Sequence, residues 1–236
     1  LAVMKLLGCY KDVVFQATNA EEVEDVKHRI GPATEVHLVS NLGRKLKATA
    51  PATRTKSHGE LRLVSVARIA VEKNTLFAIE CLAQLKGKVT FDLYGPIYDQ
   101  AYWQQCEAAI AKLPSNVKVM HKGTVAPEAV AELFANYHTL FMPSQGENFG
   151  HTMVEAMAAG LPLLISDRTP WKELKAKQAG WDLPLDGRSL FTEAAQGLVD
   201  MDQVAYDPWT TGAFALGARY LNDPVPVQRT LELLSP

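Results

Sequence analysis

The sequence predicts an α/β fold built on a doubly wound parallel sheet, and two observations carry that prediction. Short apolar runs rich in β-branched and aromatic residues recur at Val13–Gln16, Glu35–Val39, Leu61–Ala67, Val89–Tyr94, Val117–Met120, Thr139–Met142 and Leu163–Ser166. Most lack clean apolar–polar alternation, as strands buried on both faces do. Helix-length segments lie between them at Glu21–Ile30, Thr75–Leu85, Gln100–Lys112, Pro127–Asn136, Thr152–Ala159 and Trp171–Gln178. Strands that alternate with helices return by crossovers, which gives a parallel sheet with helices on both faces.

The elements justify themselves in order. Thr18-Asn19-Ala20-Glu21 has capping-box spacing and starts the first long helix between the first two strands. Asn41–Gly59 then turns polar and basic, with Gly43, Pro51, Ser57 and Gly59 among Lys, Arg and Thr, and reads as a linker or long surface loop. Residues 1–59 therefore form one piece with its linker. A self-contained set of βα units follows over residues 60–200, and 201–236 is a tail in which Asp207–Leu221 reads as a helix. Trp209, Phe214 and Tyr220 recur at helical spacing along it and are expected as core contacts.

Composition narrows the class. The chain has 236 residues, 47% hydrophobic and 21% charged, as expected of a globular protein. A net charge of −2 gives no electrostatic footprint for nucleic acid or an acidic membrane. Cys9, Cys81 and Cys106 have no metal-ligand spacing, and their odd count argues against a disulfide framework. They read as reduced residues of a cytosolic protein. No apolar run reaches the ~18 residues of a spanning helix, and no signal-peptide pattern precedes the first strand.

The most specific text is Pro143-Ser144-Gln145-Gly146-Glu147-Asn148-Phe149-Gly150-His151-Thr152-Met153-Val154-Glu155-Ala156-Met157-Ala158-Ala159-Gly160-Leu161-Pro162. Glu155 falls among apolar or small side chains on an expected helix. A carboxylate stripped of water there costs roughly several kcal/mol unless a polar group meets it, so Glu155 marks a site.

This run resembles the Glu-x7-Glu motif of the retaining glycosyltransferases of family 4, with Phe149-Gly150, Glu155-Ala156-Met157-Ala158 and Gly160-x-Pro162 matching as they stand. The resemblance implies the two-domain GT-B fold, with residues 60–200 as its Rossmann-like donor-binding domain. Residues 1–59 would be the end of the acceptor-side domain plus linker, and Asp207–Leu221 a helix crossing back to it. It also implies a sugar nucleotide as donor substrate, no cofactor, and an acceptor glycan or lipid-linked glycan. The chain begins at Leu1 and is shorter than a complete two-domain transferase, so a fragment lacking most of its N-terminal domain is expected. The expected location is cytoplasmic, with peripheral association at the inner face of a membrane admitted for the full-length protein.

A sugar nucleotide presents a base, a ribose diol, a diphosphate and a sugar. One carboxylate accepts both hydroxyls of a ribose diol, and the resemblance gives this role to Glu155. The diphosphate calls for cations, and Arg68 and Lys73 follow directly on a strand whose carboxyl end is where open α/β sheets bind ligands. In the family such a pair steadies the departing charge. A glycine commonly follows that lysine, whereas Asn74 stands here. Asn148, Phe149 and Gly150 lead into a helix whose free amides and positive dipole end favour an anion. Glu147 would meet the hydroxyls of the transferred sugar.

Gly123, Thr124 and Val125 match a position where backbone groups meet the base, and Gly95 closes a strand of the same cleft, with Pro96 departing from the more usual glycine-rich text. His151 reads as a capping or packing residue. The His residues are dispersed and no Asp-x-Asp sits at a strand end, so no metal site is expected. Two other readings stay open: a sugar-nucleotide epimerase of the same fold, and a non-catalytic nucleotide-sugar-binding module.

Overall fold

The computed structural model of the chain describes residues 1–43 and 50–234. It divides into two compact units, residues 1–42 with 223–236 and residues 43–222. The first unit holds α1 (Ala2–Leu6), β1 (Phe15–Ala17), α2 (Ala20–Ile30) and β2 (Val36–Leu38). The two strands pair in parallel, Phe15 opposite Val36 and Ala17 opposite Leu38, so the segment is one βαβ crossover. The cap lies one residue later than the capping-box spacing suggests, at Asn19, and the helix opens at Ala20, one residue before the expected Glu21. Asn19 caps it by accepting from Glu22 N at 2.8 Å, and Glu22 reaches back to accept from Thr18 N at 2.7 Å. Glu22, rather than Glu21, thus closes the helix start, bonded to both Asn19 and Thr18.

The second unit runs β3 (Glu60–Val66), α3 (Thr75–Cys81), β4 (Lys88–Tyr94), α4 (Gln100–Ile110), β5 (Val117–His121), α5 (Val130–Phe134), β6 (Thr139–Met142), α6 (His151–Ala158), β7 (Leu163–Ser166), β8 (Gly180–Leu183), α7 (Arg188–Asp200) and α8 (Gln203–Leu221). Last comes α9 (Val225–Leu234), in the first unit, where Arg229 donates to Leu38 O. The six strands of the second unit are all parallel, in the order β5-β4-β3-β6-β7-β8. This is the doubly wound, Rossmann-like sheet the sequence predicts. Chain order reverses between β3 and β6, and that is where the carboxyl edge opens a crevice.

Both faces of the sheet are covered, which is why its strands lack alternation. Leu61 and Leu63 of β3 join Phe91, Leu93, Phe141 and Leu164 on one face, against α3, α4 and α7. Val64 joins Leu140, Met142, Leu163 and Ile165 on the other, against α5, α6 and α8. Phe141 is fully buried between Phe91 and Phe191, with ring centroids 5.6 and 6.2 Å away. Emptying such a position costs about 3–5 kcal/mol.

Several elements differ from the sequence reading. Trp171–Gln178 is not a helix. Glu173 and Gln178 have φ of 57° and 50°, and the Asp182 carboxylate takes the N–H groups of Glu173 and Leu174 at 3.0 and 2.8 Å. A left-handed residue and a distant acceptor together break the helical ladder. β8 and α7 fill the stretch that follows, and α8 starts earlier than Asp207, capped by Asp202 through Ala205 N at 2.9 Å. Trp209 stacks on Trp181 at 4.1 Å within the unit.

Of the expected loop Asn41–Gly59, residues 44–49 lie outside the described residues. The remainder is not a solvated surface loop. Arg54 and Lys56, alternate residues of an extended stretch, are both buried. Arg54 donates to the carbonyls of Phe134, Ala159 and Gly160 at the ends of α5 and α6, and Lys56 Nζ to Met201 O at 2.7 Å after α7. Two cations thus satisfy the last carbonyls of helices that would otherwise be orphaned.

Candidate functional site

The carboxyl ends of β3 and β6 enclose a cleft of about 420 Å³, lined by Val66, Ala67, Arg68, Lys73, Met142, Glu147, Gly150, His151 and Thr152. It sits at the switch point and has the volume of a small-ligand site. A larger groove of about 750 Å³ lies between α3, α4 and α7, lined by Leu76, Ala108 and Thr192 among others. That groove is on a helical face away from the carboxyl edge, so the smaller cleft is the stronger candidate.

Each wall has a local cause. After β3 the chain makes a 3₁₀ turn at Val71–Lys73 and ends it on Asn74 at φ 58° and ψ 36°. This left-handed position is where the resembled family has glycine, and asparagine is among the few side chains that tolerate it. The loop after β6 is tied to this turn, since Gln145 N donates to Glu72 O at 2.8 Å. It is tied again on its far side, where Glu147 N donates to Arg168 O at 3.0 Å.

Two ion pairs hold the cations of the lining, one between the turn after β3 and the loop after β6 and one within that turn. Lys73 Nζ lies 2.6 Å from Glu147 Oε1, with side chains 19% and 13% exposed. Ser144 Oγ donates to the same oxygen at 3.0 Å, and Ser144 is in turn held by Ser166 Oγ on its carbonyl. Arg68 pairs with Glu72 at 2.6 Å and lies over the Tyr98 ring at 5.3 Å. A hydrogen bond from its own backbone amide, reinforced by Arg68, holds the Glu72 carboxyl below the usual carboxylate range. Both pairs are preorganised, and both leave their cations facing the cleft.

The helix α6 begins at the cleft. Gly150 caps it at φ 76° and ψ 58°, and a Cβ there would lie 2.8 Å from Met153 Sδ. Met153 N already donates to Gly150 O at 2.9 Å, so the amides that this helix start offers to a ligand are those of His151 and Thr152. Thr152 Oγ1 donates to Val66 O at 3.3 Å, docking this end against β3. Phe149 is buried, its carbonyl accepting from Trp171 Nε1 at 3.0 Å and its ring 5.6 Å from Tyr220.

The structure brings Arg68, Lys73, Glu147 and Gly150 to one cleft, with Asn148 exposed and Phe149 buried in the loop between the last two. Glu155 lies one turn further along α6, half-buried, outside the immediate lining. Gly95 and Gly123 to Val125 occupy the ends of β4 and β5 on the same edge of the sheet. Gly95 N donates to Gly123 O at 2.7 Å, and Gly95 O meets His121 Nε2 at 2.7 Å. Its own backbone groups are therefore engaged in joining the two loops. Gly95 has φ 141°, and a Cβ would meet Ala67 O at 2.0 Å, which makes glycine obligatory there. Pro96 fits, because its carbonyl accepts from Ile69 N at 2.8 Å and needs no N–H in return.

Sequence reasoning did not single out Ser144, although its spacing of three from Glu147 was available, nor give weight to His151, which the structure places exposed in the cleft. Among the described residues no group of three or more His, Cys, Asp or Glu side chains is gathered as a metal centre. No helix of the described residues is long and apolar enough to cross a membrane.

The fold and this cleft together define an α/β domain with a ligand-sized cleft at the switch point of its parallel sheet, and comparison with known proteins identifies the family. The model of the glycosyl transferases group 1 matches residues 47–181, and the chain belongs to that family. The serotype-specific mannosyltransferase WbdA of Escherichia coli is 30% identical over 187 residues, covering 69% of this chain and 22% of its own length. The GtfA subunit of a UDP-N-acetylglucosamine–peptide N-acetylglucosaminyltransferase from Streptococcus parasanguinis is 25% identical over 147 residues, covering 61% and 25%. Among solved structures, Anabaena Alr3699/HepE in complex with UDP and glucose superposes with a TM-score of 0.79 at 19% identity, covering 99% of this chain and 66% of its own. The chain thus spans about a quarter of these curated relatives, and its likeness to HepE is a likeness of fold.

Proposed function

We propose that the chain is the donor-binding part of a glycosyltransferase that moves a sugar from a nucleoside diphosphate to an acceptor hydroxyl on a glycan or lipid-linked glycan. The observation that carries the proposal is the meeting of Arg68, Lys73, Glu147 and the α6 N-terminus in one cleft at the switch point. Family membership supports it, as does the binding of UDP and glucose by HepE, a structure of the same fold.

In this reading residues 60–200 hold the donor. Residues 1–59 are the remainder of an acceptor-side domain, and 201–236 lead back toward it. The diphosphate lies against Arg68, Lys73 and the free amides around Gly150, which replace its water with fixed donors. As the glycosidic bond breaks, the charge on the leaving phosphate grows, and those donors stabilise it most at that moment. Glu147, partly neutralised by Lys73 and oriented by Ser144, accepts from hydroxyls of the transferred sugar. Glu155 accepts from the ribose diol, and backbone groups of Gly123, Thr124 and Val125 meet the base.

Metal independence is part of the proposal, with Arg68, Lys73 and the α6 amides as hydrogen-bond donors to the diphosphate. Retention at the anomeric carbon is part of the proposal and rests on the Glu-x7-Glu resemblance.

The test is an assay of the full-length protein with labelled sugar nucleotide, acceptor and a chelator. Transfer releases free nucleoside diphosphate and glycosylated acceptor, and an α-linked product from an α-linked donor establishes retention. A new nucleotide sugar without acceptor would replace this reading with an epimerase. Binding with neither product would leave a non-catalytic module.

A further inference from the structure

The charge balance of the cleft leaves one lining side chain unaccounted for. Arg68 is paired with Glu72 at 2.6 Å and Lys73 with Glu147 at 2.6 Å, so the two permanent cations of the lining are each matched by a carboxylate. A doubly negative diphosphate entering here meets four side chains whose charges cancel. Further positive charge comes from the α6 amides and from whatever else lines the opening.

His151 lines it. It is the first residue of α6, exposed to solvent, between the Gly150 cap and Thr152. Its ring rests against Phe149 with centroids 4.4 Å apart at 56°. Phe149 is itself immobilised, buried at 7% exposure, held through its carbonyl by Trp171 and flanked by Tyr220. An exposed ring on a rigid apolar seat loses little freedom when it takes a ligand. Among the described residues no carboxylate forms an ion pair with His151, in contrast to Arg68 and Lys73.

We propose that His151 is a further donor-binding residue, its imidazolium donating a hydrogen bond to a phosphate oxygen of the bound nucleotide. This rests on the donor-site reading above. Charge-assisted bonds of this kind are about twice as strong as neutral ones. Because imidazole changes charge between about pH 5 and 8, the contact makes donor affinity depend on pH. Among the described residues, the other charged and titratable groups near it are Arg68 and Lys73 from the turn after β3, Glu147 from the loop after β6, Glu155 one turn further along α6, and Tyr220 of α8 behind Phe149. Between about pH 5 and 8 lysine, arginine and tyrosine side chains ordinarily keep their protons and carboxylates stay ionised, so a pH slope that vanishes in a His151 variant reports the imidazole.

The experiment is calorimetric titration of the 236-residue chain with UDP-, GDP- and ADP-linked hexoses between pH 5.5 and 8. The phosphates of these diesters have no proton to lose in that range, so the ligand contributes no slope of its own. Wild type is expected to weaken about tenfold from the acid to the alkaline end, equivalent to about 1.4 kcal/mol. His151→Gln is expected to bind at the alkaline-end affinity throughout, changing less than about twofold, since it retains a neutral donor. His151→Lys, with a permanent cation at the same place, should bind tightly and without slope. Parallel pH curves for wild type and His151→Gln would overturn the proposal while leaving the donor site in place. Absence of binding by wild type at every pH would overturn both.

Discussion

Lys73 Nζ sits 2.6 Å from Glu147 Oε1, joining two residues 74 positions apart across the mouth of the sheet. In the proposed function the pair links the cation offered to a leaving diphosphate with the carboxylate offered to the sugar, so each partly neutralises the other. Their substitutions are expected to act in opposite directions. Lys73→Ala removes a phosphate donor and should weaken nucleoside diphosphate binding by about 10–100-fold. Glu147→Gln leaves Lys73 free for the phosphate, so binding should hold or tighten by up to about fivefold, while transfer by the full-length protein falls at least about 100-fold. Titration and turnover on the same two variants check this; equal loss of binding in both would contradict it.

The backbone at the carboxyl edge makes a second expectation. Gly95 admits no side chain, with Ala67 O at 2.0 Å from a built Cβ, and that neighbour is main chain that cannot swing aside. Gly95→Ala should destabilise the fold by more than about 2 kcal/mol and abolish nucleotide binding with it. Asn74→Gly should change stability by less than about 0.5 kcal/mol, whereas Asn74→Ala should cost about 1 kcal/mol at the same left-handed position. Urea melts of the three variants separate these values. An Asn74→Ala variant as stable as wild type would mean that the turn is not held at φ 58° in solution.

A third expectation concerns acid stability. His138 is fully buried, accepting from Arg62 N at Nδ1 and facing Thr55 O through Nε2, which fixes the neutral Nε2–H tautomer. Burial, with Arg62 adding repulsion, lowers its pKa from 6.5 to about 3. Between those two values the unfolded chain binds a proton that the folded chain refuses. Its contribution to stability is therefore complete above about pH 6.5 and falls as pH drops toward 3, by at most about 1.4 kcal/mol per unit. Urea midpoints from pH 4.5 to 7 should show this slope in wild type and a flatter one in His138→Gln. Identical slopes would assign the acid sensitivity to other groups.

Much of this was legible in the sequence, for physical reasons that differ by element. The buried strands announced themselves because both of their faces need apolar side chains, as Leu61, Leu63 and Val64 illustrate. Arg68 and Lys73 could be placed at the cleft because a strand end locates them without any long-range information. What failed was non-local. Trp171–Gln178 has helical composition, but Asp182, across a turn, claims its amides. β8 is short and contains Gly180 and Asp182, and exists by pairing with β7. The burial of Arg54 and Lys56 depends on carbonyls far along the chain, Ala159 and Gly160 at 105 and 106 positions from Arg54 and Met201 at 145 from Lys56. By contrast α7 carried its own signal, Phe191, Ala195, Leu198 and Val199 at helical spacing, all buried.

The central claim is that this cleft holds a nucleoside diphosphate through Glu155 and the cations beside it. The most direct measurement is a thermal-shift titration of the chain with UDP, GDP and ADP, beside Glu155→Gln and Lys73→Ala. A ligand at ~100 times its dissociation constant stabilises the native state by about 2.7 kcal/mol, which for a chain of this size raises the melting temperature by roughly 5–10 °C. The account predicts that shift for wild type with one nucleotide, cut to about half or less in Lys73→Ala and in Glu155→Gln, whose melting temperatures without ligand stay close to wild type. A flat wild-type response to all three, or a shift of wild-type size in Glu155→Gln and Lys73→Ala, would contradict it.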